Sequence, residues 1–155
     1  MIGADAEEFK EYCLLFDIEI NEKNVIYSLG GVFGDEIFSS PPGKTVIKET
    51  LEKLNSFGQR VDFLLGHDIP HLIQKVPSLA LLEKRAIDTL SLSPLAYPAN
   101  SYHRLVKNYQ IVRDSINEPV QDAKLAGMVF ACQLDAFISQ LVSGSDFPVF
   151  YRSFL

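Results

Sequence analysis

Apolar and polar residues alternate along much of the chain with the period of two that is typical of strands in a half-buried sheet. The first three such segments are separated by short polar turns, which predicts an antiparallel meander. Gly30 and Gly31 in the second segment indicate a bulge or a close approach of another element. The strands are predicted at residues 13–20, 25–33, 36–39, 61–66 and 85–90.

Between these strands the apolar residues recur at helical spacing. A long final helix is predicted to begin near Pro119 and to end at about Ser143, with Gly144 as its cap, and its many apolar residues predict that it is largely buried. Residues 91–101, which contain Pro94 and Pro98, are expected to be irregular. The helices are predicted at residues 44–56, 70–76, 78–84, 102–109 and 119–143.

A meander followed by alternating helices and strands predicts an α/β fold, with a mixed sheet covered by helices. The chain has 155 residues, of which 47% are hydrophobic and 22% are charged, as expected for a single globular domain. We find no apolar run of the roughly 20 residues that cross a bilayer, and we expect a cytoplasmic protein. Cys13 and Cys132 lack zinc-site spacing and are interpreted as core thiols.

The net charge of −6 argues against a protein that holds nucleic acid by bulk electrostatic attraction. It does not argue against an enzyme that acts on nucleic acid through bound metal ions, because part of the acidic excess would then serve as ligands. Net charge is therefore weak evidence here.

Two acids, Asp17 and Glu19, interrupt the apolar first strand. Because side chains alternate along a strand, both lie on one face, while Phe16 and Ile18 point to the other. Two neighbouring carboxylates repel each other unless a positive charge lies between them, and a divalent cation is the usual one. The alternative is a strand edge at which both acids are solvated.

Two further acids lie in apolar surroundings, Asp68 at a junction between a strand and a helix and Asp122 in the first turn of the last helix. A lone charge among apolar residues is costly. Four converging carboxylates would instead bind two divalent cations about 4 Å apart, the arrangement that supports in-line attack on a phosphodiester.

These acids occur in the order and context of the motifs of the DnaQ-like (DEDD) 3′-5′ exonuclease superfamily, which the chain resembles. Residues 16–19 match its D-x-E motif on the first strand. Residues 66–72 are similar to a shortened version of its second motif, and residues 117–126 to its third. Residues 87–98 and 102–109 are similar to exonuclease domains fused to RecQ-type helicases.

The resemblance implies an RNase H-like fold and removal of nucleotides from the 3′ end of DNA, with two Mg²⁺ or Mn²⁺ ions. It also implies one exonuclease domain over residues 1–155, of the kind that forms the N-terminal part of a longer protein with a helicase domain or partner. The four implied metal ligands and catalytic residues are Asp17, Glu19, Asp68 and Asp122. The resemblance further implies a part in DNA repair.

Two features depart from the family pattern. The second motif is several residues short, and Asn117 and Glu118 stand where the superfamily usually has a histidine or a tyrosine that deprotonates or orients the attacking water. Glu118, Asn117 and His103 are therefore the candidates for that role. A weak or inactive module that binds nucleic acid or regulates a partner is one alternative, and an RNA-directed exonuclease is another.

Several other polar residues have two interpretations. Asp88 is a fifth ligand or, preferably, a cap for the segment that follows it. Arg104 and Lys107 either hold the phosphate backbone of a single-stranded or 3′-ended nucleic acid or are simply solvated. Tyr102 either stacks on an unpaired base or packs in the protein, and packing is preferred.

Overall fold

Five strands form one mixed sheet: β1 (Cys13–Ile20), β2 (Ile26–Phe33), β3 (Glu36–Ser39), β4 (Phe63–Gly66) and β5 (Arg85–Asp88). Their order across the sheet is β3-β2-β1-β4-β5. The first three strands are antiparallel neighbours, and β4 and β5 continue the sheet parallel to β1. The fold is taken from a computed structural model, and the structure describes residues 9–20, 22–23, 25–40, 44–76, 81, 83–100 and 118–144.

The strands agree closely with those predicted. The bounds of β1 and β3 are as predicted, β2 and β4 begin slightly later, and β5 ends at Asp88 because a helix begins at the next residue. Gly34 in the turn between β2 and β3 has a φ of 57°, a left-handed conformation that favours glycine.

Alternation along β1 separates the core into two layers, one on each face of the sheet. Leu14, Phe16 and Ile18 are buried on one face, together with residues of two helices, α1 (Lys44–Arg60) and α2 (Ile69–Lys75). Cys13 and Leu15 are buried on the other face, beneath the last helix. The predicted α/β class, a mixed sheet covered by helices, is therefore observed.

Helix α1 is about one turn longer than predicted. Phe57 and Gly58 suggest an end in the sequence, but Phe57 is buried and its ring stacks on Phe38 at a centroid distance of 5.2 Å. The Arg60 guanidinium lies 5.1 Å from the centre of the Phe33 ring and donates a hydrogen bond of 3.2 Å to Glu36. These contacts with the sheet keep the last turn helical.

The prediction that residues 91–101 are irregular is wrong, because helix α3 (Thr89–Ala96) occupies most of them. The carboxylate of Asp88 caps its first turn by accepting hydrogen bonds from the backbone N–H groups of Leu90 and Ser91. Pro94 lies inside the helix and costs one backbone hydrogen bond. In the sequence this proline indicated a break in the helix. Contacts with the last helix compensate for it.

The last helix, α4 (Pro119–Val142), has nearly the predicted bounds, and Gly144 follows it with a φ of 73°. By length and composition this helix is long and apolar enough to cross a membrane, contrary to the expectation that no such run is present, but residues of its first half are buried on the sheet. No residue of α4 after Gln133 is buried in the described structure, and Cys132 is exposed. The prediction that the helix is largely buried therefore holds only up to Gln133, and the prediction that Cys132 is a core thiol is wrong.

The reason is geometric. A helix of 24 residues is about 36 Å long, whereas a sheet of five strands is only about 20 Å across. The second half of α4 therefore extends beyond the sheet. The short helix predicted at residues 102–109 lies outside the described residues, as does most of the one predicted at 78–84.

Candidate metal centre

Strand β1 carries Asp17 and Glu19 on the face that α4 covers. This follows from alternation, because Leu15 on the same face packs against α4, and Phe16 and Ile18 lie in the opposite layer. The antiparallel register sets Asp17 opposite Gly30 and Glu19 opposite Ser28, and it shifts immediately after Glu19. Both acids are half-buried rather than solvated at an edge.

Helix α4 brings Asp122 to the same face. Pro119 begins the helix, and Asp122 lies in its first turn, where its backbone N–H donates to the carbonyl of Glu118 at 3.1 Å. The helix approaches the sheet closely at Gly30, since a Cβ there would lie 2.8 Å from Cγ2 of Val120 and 3.0 Å from its backbone nitrogen. The predicted close approach at Gly30 is thus confirmed, and it sets Asp122 near β1.

The three acids Asp17, Glu19 and Asp122 form a compact cluster, in which one carboxylate oxygen of each lies within 4.8 Å of those of the other two. Burial raises the pKa of Asp17 to about 8, and the charges of Asp122 and Glu19 contribute, while a backbone hydrogen bond at Ile18 opposes them. Burial and then the charge of Glu19 also raise the pKa of Asp122. A divalent cation among these oxygens would relieve the repulsion.

Asp68 is not part of this cluster. It lies between β4 and α2 with a left-handed backbone, φ 63° and ψ 46°, and its N–H donates to Oδ1 of Asp88 at 2.7 Å. Because β1 and β4 are parallel, Asp68 still follows the strand end that adjoins Asp17. The structure therefore brings three of the four predicted ligands together and leaves the fourth at the same edge of the sheet.

Asp88 has the capping role that the sequence favours. Besides the N–H groups of Leu90 and Ser91, its carboxylate accepts hydrogen bonds from the N–H groups of Asp68 and Ile69 and from the hydroxyl of Ser91. These hydrogen bonds connect the residues that follow β4 with the first turn of α3. Asp88 is not among the acids of the cluster.

A buried network behind Asp68 was not predicted from the sequence. Nδ1 of His67 lies 2.9 Å from Oγ1 of Thr89, and Thr89 is fully buried. Burial lowers the pKa of His67, which the charges of Asp88 and Asp68 partly oppose. The amide nitrogen of Gln133 in α4 donates to the carbonyl of Thr89 at 2.8 Å. The amide of Gln133 within an apolar helix was the signal in the sequence for such a partner.

Of the remaining predicted residues, the structure describes only Glu118. Glu118 is exposed, and its side chain makes no capping hydrogen bond at the start of α4. The others lie outside the described residues: Asn117, Tyr102, His103, Arg104 and Lys107.

Comparisons of the chain with models of known protein families and with curated proteins give no match. The fold and the acidic cluster are therefore the observations from which a function is inferred.

Proposed function

We propose that the chain is a divalent-metal-dependent 3′-5′ exonuclease domain that acts on DNA and has an RNase H-like fold of the DnaQ type. The observation that carries the proposal is the cluster of Asp17, Glu19 and Asp122, drawn from β1 and α4 onto one face of the sheet. A three-strand meander continued by two parallel strands agrees with the fold that the resemblance implies. The ordered acidic motifs support the assignment to this superfamily.

The donor set fits Mg²⁺ or Mn²⁺. Both are hard cations that prefer oxygen ligands, and the cluster consists of three half-buried carboxylates that repel one another. Asp17, Glu19 and Asp122 would hold one cation. A second would be held by Asp17 together with Asp68, which follows β4 at the same edge.

Two bound cations supply an activated water molecule and stabilise the leaving oxygen in phosphodiester hydrolysis. The chain's own part is to hold the carboxylates on a central strand and on a helix that packs against it. Because Asp122 lies in the first turn of α4, the positive end of the helix dipole adjoins the site. That end favours an anionic phosphodiester as well as the ionised carboxylate.

The test is incubation of the purified protein with a 5′-labelled single strand of DNA and either Mg²⁺ or Mn²⁺. We expect shortening from the 3′ end, complete inhibition by a chelator, and a loss of roughly 10²–10³-fold in Asp17→Asn and Asp122→Asn. Asp135→Asn is the matched control, because Asp135 is an exposed acid on the same helix and lies outside the cluster.

The outcomes distinguish the alternatives. Calorimetric binding of Mn²⁺ without shortening would favour an inactive module that binds nucleic acid or regulates a partner, which agrees with the exposed position of Glu118. Faster degradation of a matched RNA strand would favour an RNA-directed exonuclease. Absence of metal binding would contradict every metal-based assignment.

A further inference from the structure

The pairing of β1 with β2 is irregular directly beside the acidic cluster. Glu19 pairs with Ser28, whereas the next residue of β1, Ile20, pairs with Ile26. Tyr27 is therefore an extra residue of β2. Such a bulge sets two consecutive residues of one strand opposite a single residue of the other. Tyr27 and Ser28 thus lie together opposite Glu19.

The bulge turns the side chain of Tyr27 to the side of the sheet that carries the cluster. Ile26 and Leu29 both pack in the layer of Phe16, on the opposite side. Residues of a regular strand that share a side are an even number of positions apart, whereas the separation of Ile26 and Leu29 is odd. The extra residue between them therefore does not share their side, and 47% of the Tyr27 surface is exposed.

This exposed ring lies next to a proposed metal ligand. Neighbouring strands are about 4.8 Å apart, so the backbone of Tyr27 is roughly one strand spacing from that of Glu19. Within the described residues, the exposed aromatic side chains are those of Tyr12 and Tyr27. Tyr12 precedes the other end of β1 and is roughly 24 Å from Glu19, at a rise of about 3.4 Å per residue.

We propose that Tyr27 is a base-binding residue, whose ring stacks on an unpaired base of the strand that is bound at the cluster. The inference rests on the proposed nuclease function. A protein with a net charge of −6 does not hold a strand by bulk attraction, so contacts that need no charge must contribute to binding. An aromatic ring supplies such a contact, because every base has a flat π face. A base that is paired within a duplex does not offer that face.

The first test needs no cleavage. The probes are deoxyadenosine 5′-monophosphate and deoxyribose 5-phosphate, which carry the same phosphate group and differ in the base. With saturating Mg²⁺, calorimetry should show that the wild type binds the nucleotide about 10-fold more tightly than the sugar phosphate. Tyr27→Ala should bind both equally, whereas Tyr27→Phe retains the ring and should keep the preference. A wild type that binds both probes equally would overturn the inference.

The second test uses a 5′-labelled single strand. Tyr27→Ala should raise KM about 10-fold with little change in kcat, because the stacking contact is made equally in the bound substrate and in the transition state. Tyr12→Ala is the matched control, since it removes an exposed tyrosine far from the cluster, and it should keep the KM of the wild type. An equal effect of Tyr27→Ala on a blunt duplex would contradict the restriction to an unpaired base.

Failure of the inference and failure of the proposed function are separable. If Tyr27→Ala shortens the strand with the KM of the wild type, the inference is wrong and the nuclease function stands. If Tyr27→Ala is folded by circular dichroism and binds Mg²⁺ less tightly than the wild type, the ring supports the metal centre, and its assignment to a base is wrong. A wild-type protein that binds no metal and shortens no strand overturns the function, and the inference with it.

Discussion

At the residue scale, the candidate site depends on the face of β1 that each side chain occupies. Asp17 and Glu19 share a face because they are two residues apart, and the pairs Asp17 with Gly30 and Glu19 with Ser28 hold that register. A slip of one residue would turn both acids into the layer that holds Phe16 and Leu54. The same alternation therefore determines the core and the acidic cluster.

Substitutions of Asp88 test whether its carboxylate has a structural role or binds a metal ion. Asp88→Ala removes the acceptor of five hydrogen bonds, from the N–H groups at 68, 69, 90 and 91 and from the Ser91 hydroxyl, and should lower the free energy of unfolding by roughly 2–4 kcal/mol. Asp88→Asn retains an acceptor oxygen and should lose less. Urea unfolding measures both values.

The same variants test the ligand assignment. Asp88→Asn should retain the Mg²⁺ affinity of the wild type in calorimetry, whereas Asp17→Asn should lose it. Loss of Mg²⁺ binding in Asp88→Asn, with normal stability, would identify Asp88 as a ligand instead.

Residue types and their spacing were sufficient to predict the positions of Asp17, Glu19 and Asp122, because strand alternation and a helical first turn are local properties. Asp68 was predicted as a fourth member of the set, but a left-handed residue and a hydrogen bond from its own N–H determine where it lies. The hydrogen bond between His67 and Thr89 joins residues 22 positions apart. No local pattern predicts such a contact.

At the scale of elements, the site depends on how closely α4 packs on β2. Gly30→Ala would add a Cβ 2.8 Å from Cγ2 of Val120, so the first turn of α4 must move away from the sheet. We expect a loss of roughly 1–3 kcal/mol in the free energy of unfolding and weaker Mg²⁺ binding, although no ligand is changed. Urea unfolding and calorimetry on the same protein measure the two effects.

Two variants separate displacement of Asp122 from general loss of stability. Phe38→Leu loosens the layer on the opposite face, and it should reduce stability without changing Mg²⁺ affinity. Val120→Ala combined with Gly30→Ala removes part of the clash and should restore part of the affinity. Equal weakening of Mg²⁺ binding in Phe38→Leu and Gly30→Ala would contradict the role given to this contact.

Most helices and strands could be predicted because the spacing of their apolar residues follows directly from which side chains are buried. The errors have tertiary causes. Helix α3 contains Pro94, yet the carbonyls of Leu95 and Ala96 accept from the Gln140 amide of α4 at 3.2 Å, and Asp88 caps its first turn. The exposure of the second half of α4 depends on the width of the sheet. That width cannot be predicted from the pattern of apolar residues in the helix.

For the molecule as a whole, the net charge is −6, and three of its acidic side chains lie together at the half-buried acidic cluster. A protein that buries like charges loses stability unless protons or cations neutralise them. The cluster should therefore be a place where folding, pH and metal binding are linked. That linkage can be measured without a substrate.

The pKa of Asp17 in the folded protein is about 8, above its usual value of 3.8, so the folded state binds a proton there more tightly than the unfolded state does. The stability contributed by that proton is fully present below about pH 4 and is lost as the pH rises to about 8. Without metal, Asp17→Asn should match the wild type near pH 4 and exceed it near pH 8, by roughly 1–3 kcal/mol once solvent screening is allowed for.

Saturating Mg²⁺ should remove this difference at pH 8, because binding to the folded wild type at 100 times the dissociation constant stabilises it by about 2.7 kcal/mol. Asp17→Asn should gain little from the metal. Asp135→Asn, which changes an exposed acid outside the cluster, should follow the wild type throughout. A difference between Asp17→Asn and the wild type that does not vary between pH 4 and pH 8 would mean that Asp17 is ionised at its usual pH. In that case the three carboxylates would repel one another only weakly, and this repulsion would not favour the binding of a cation.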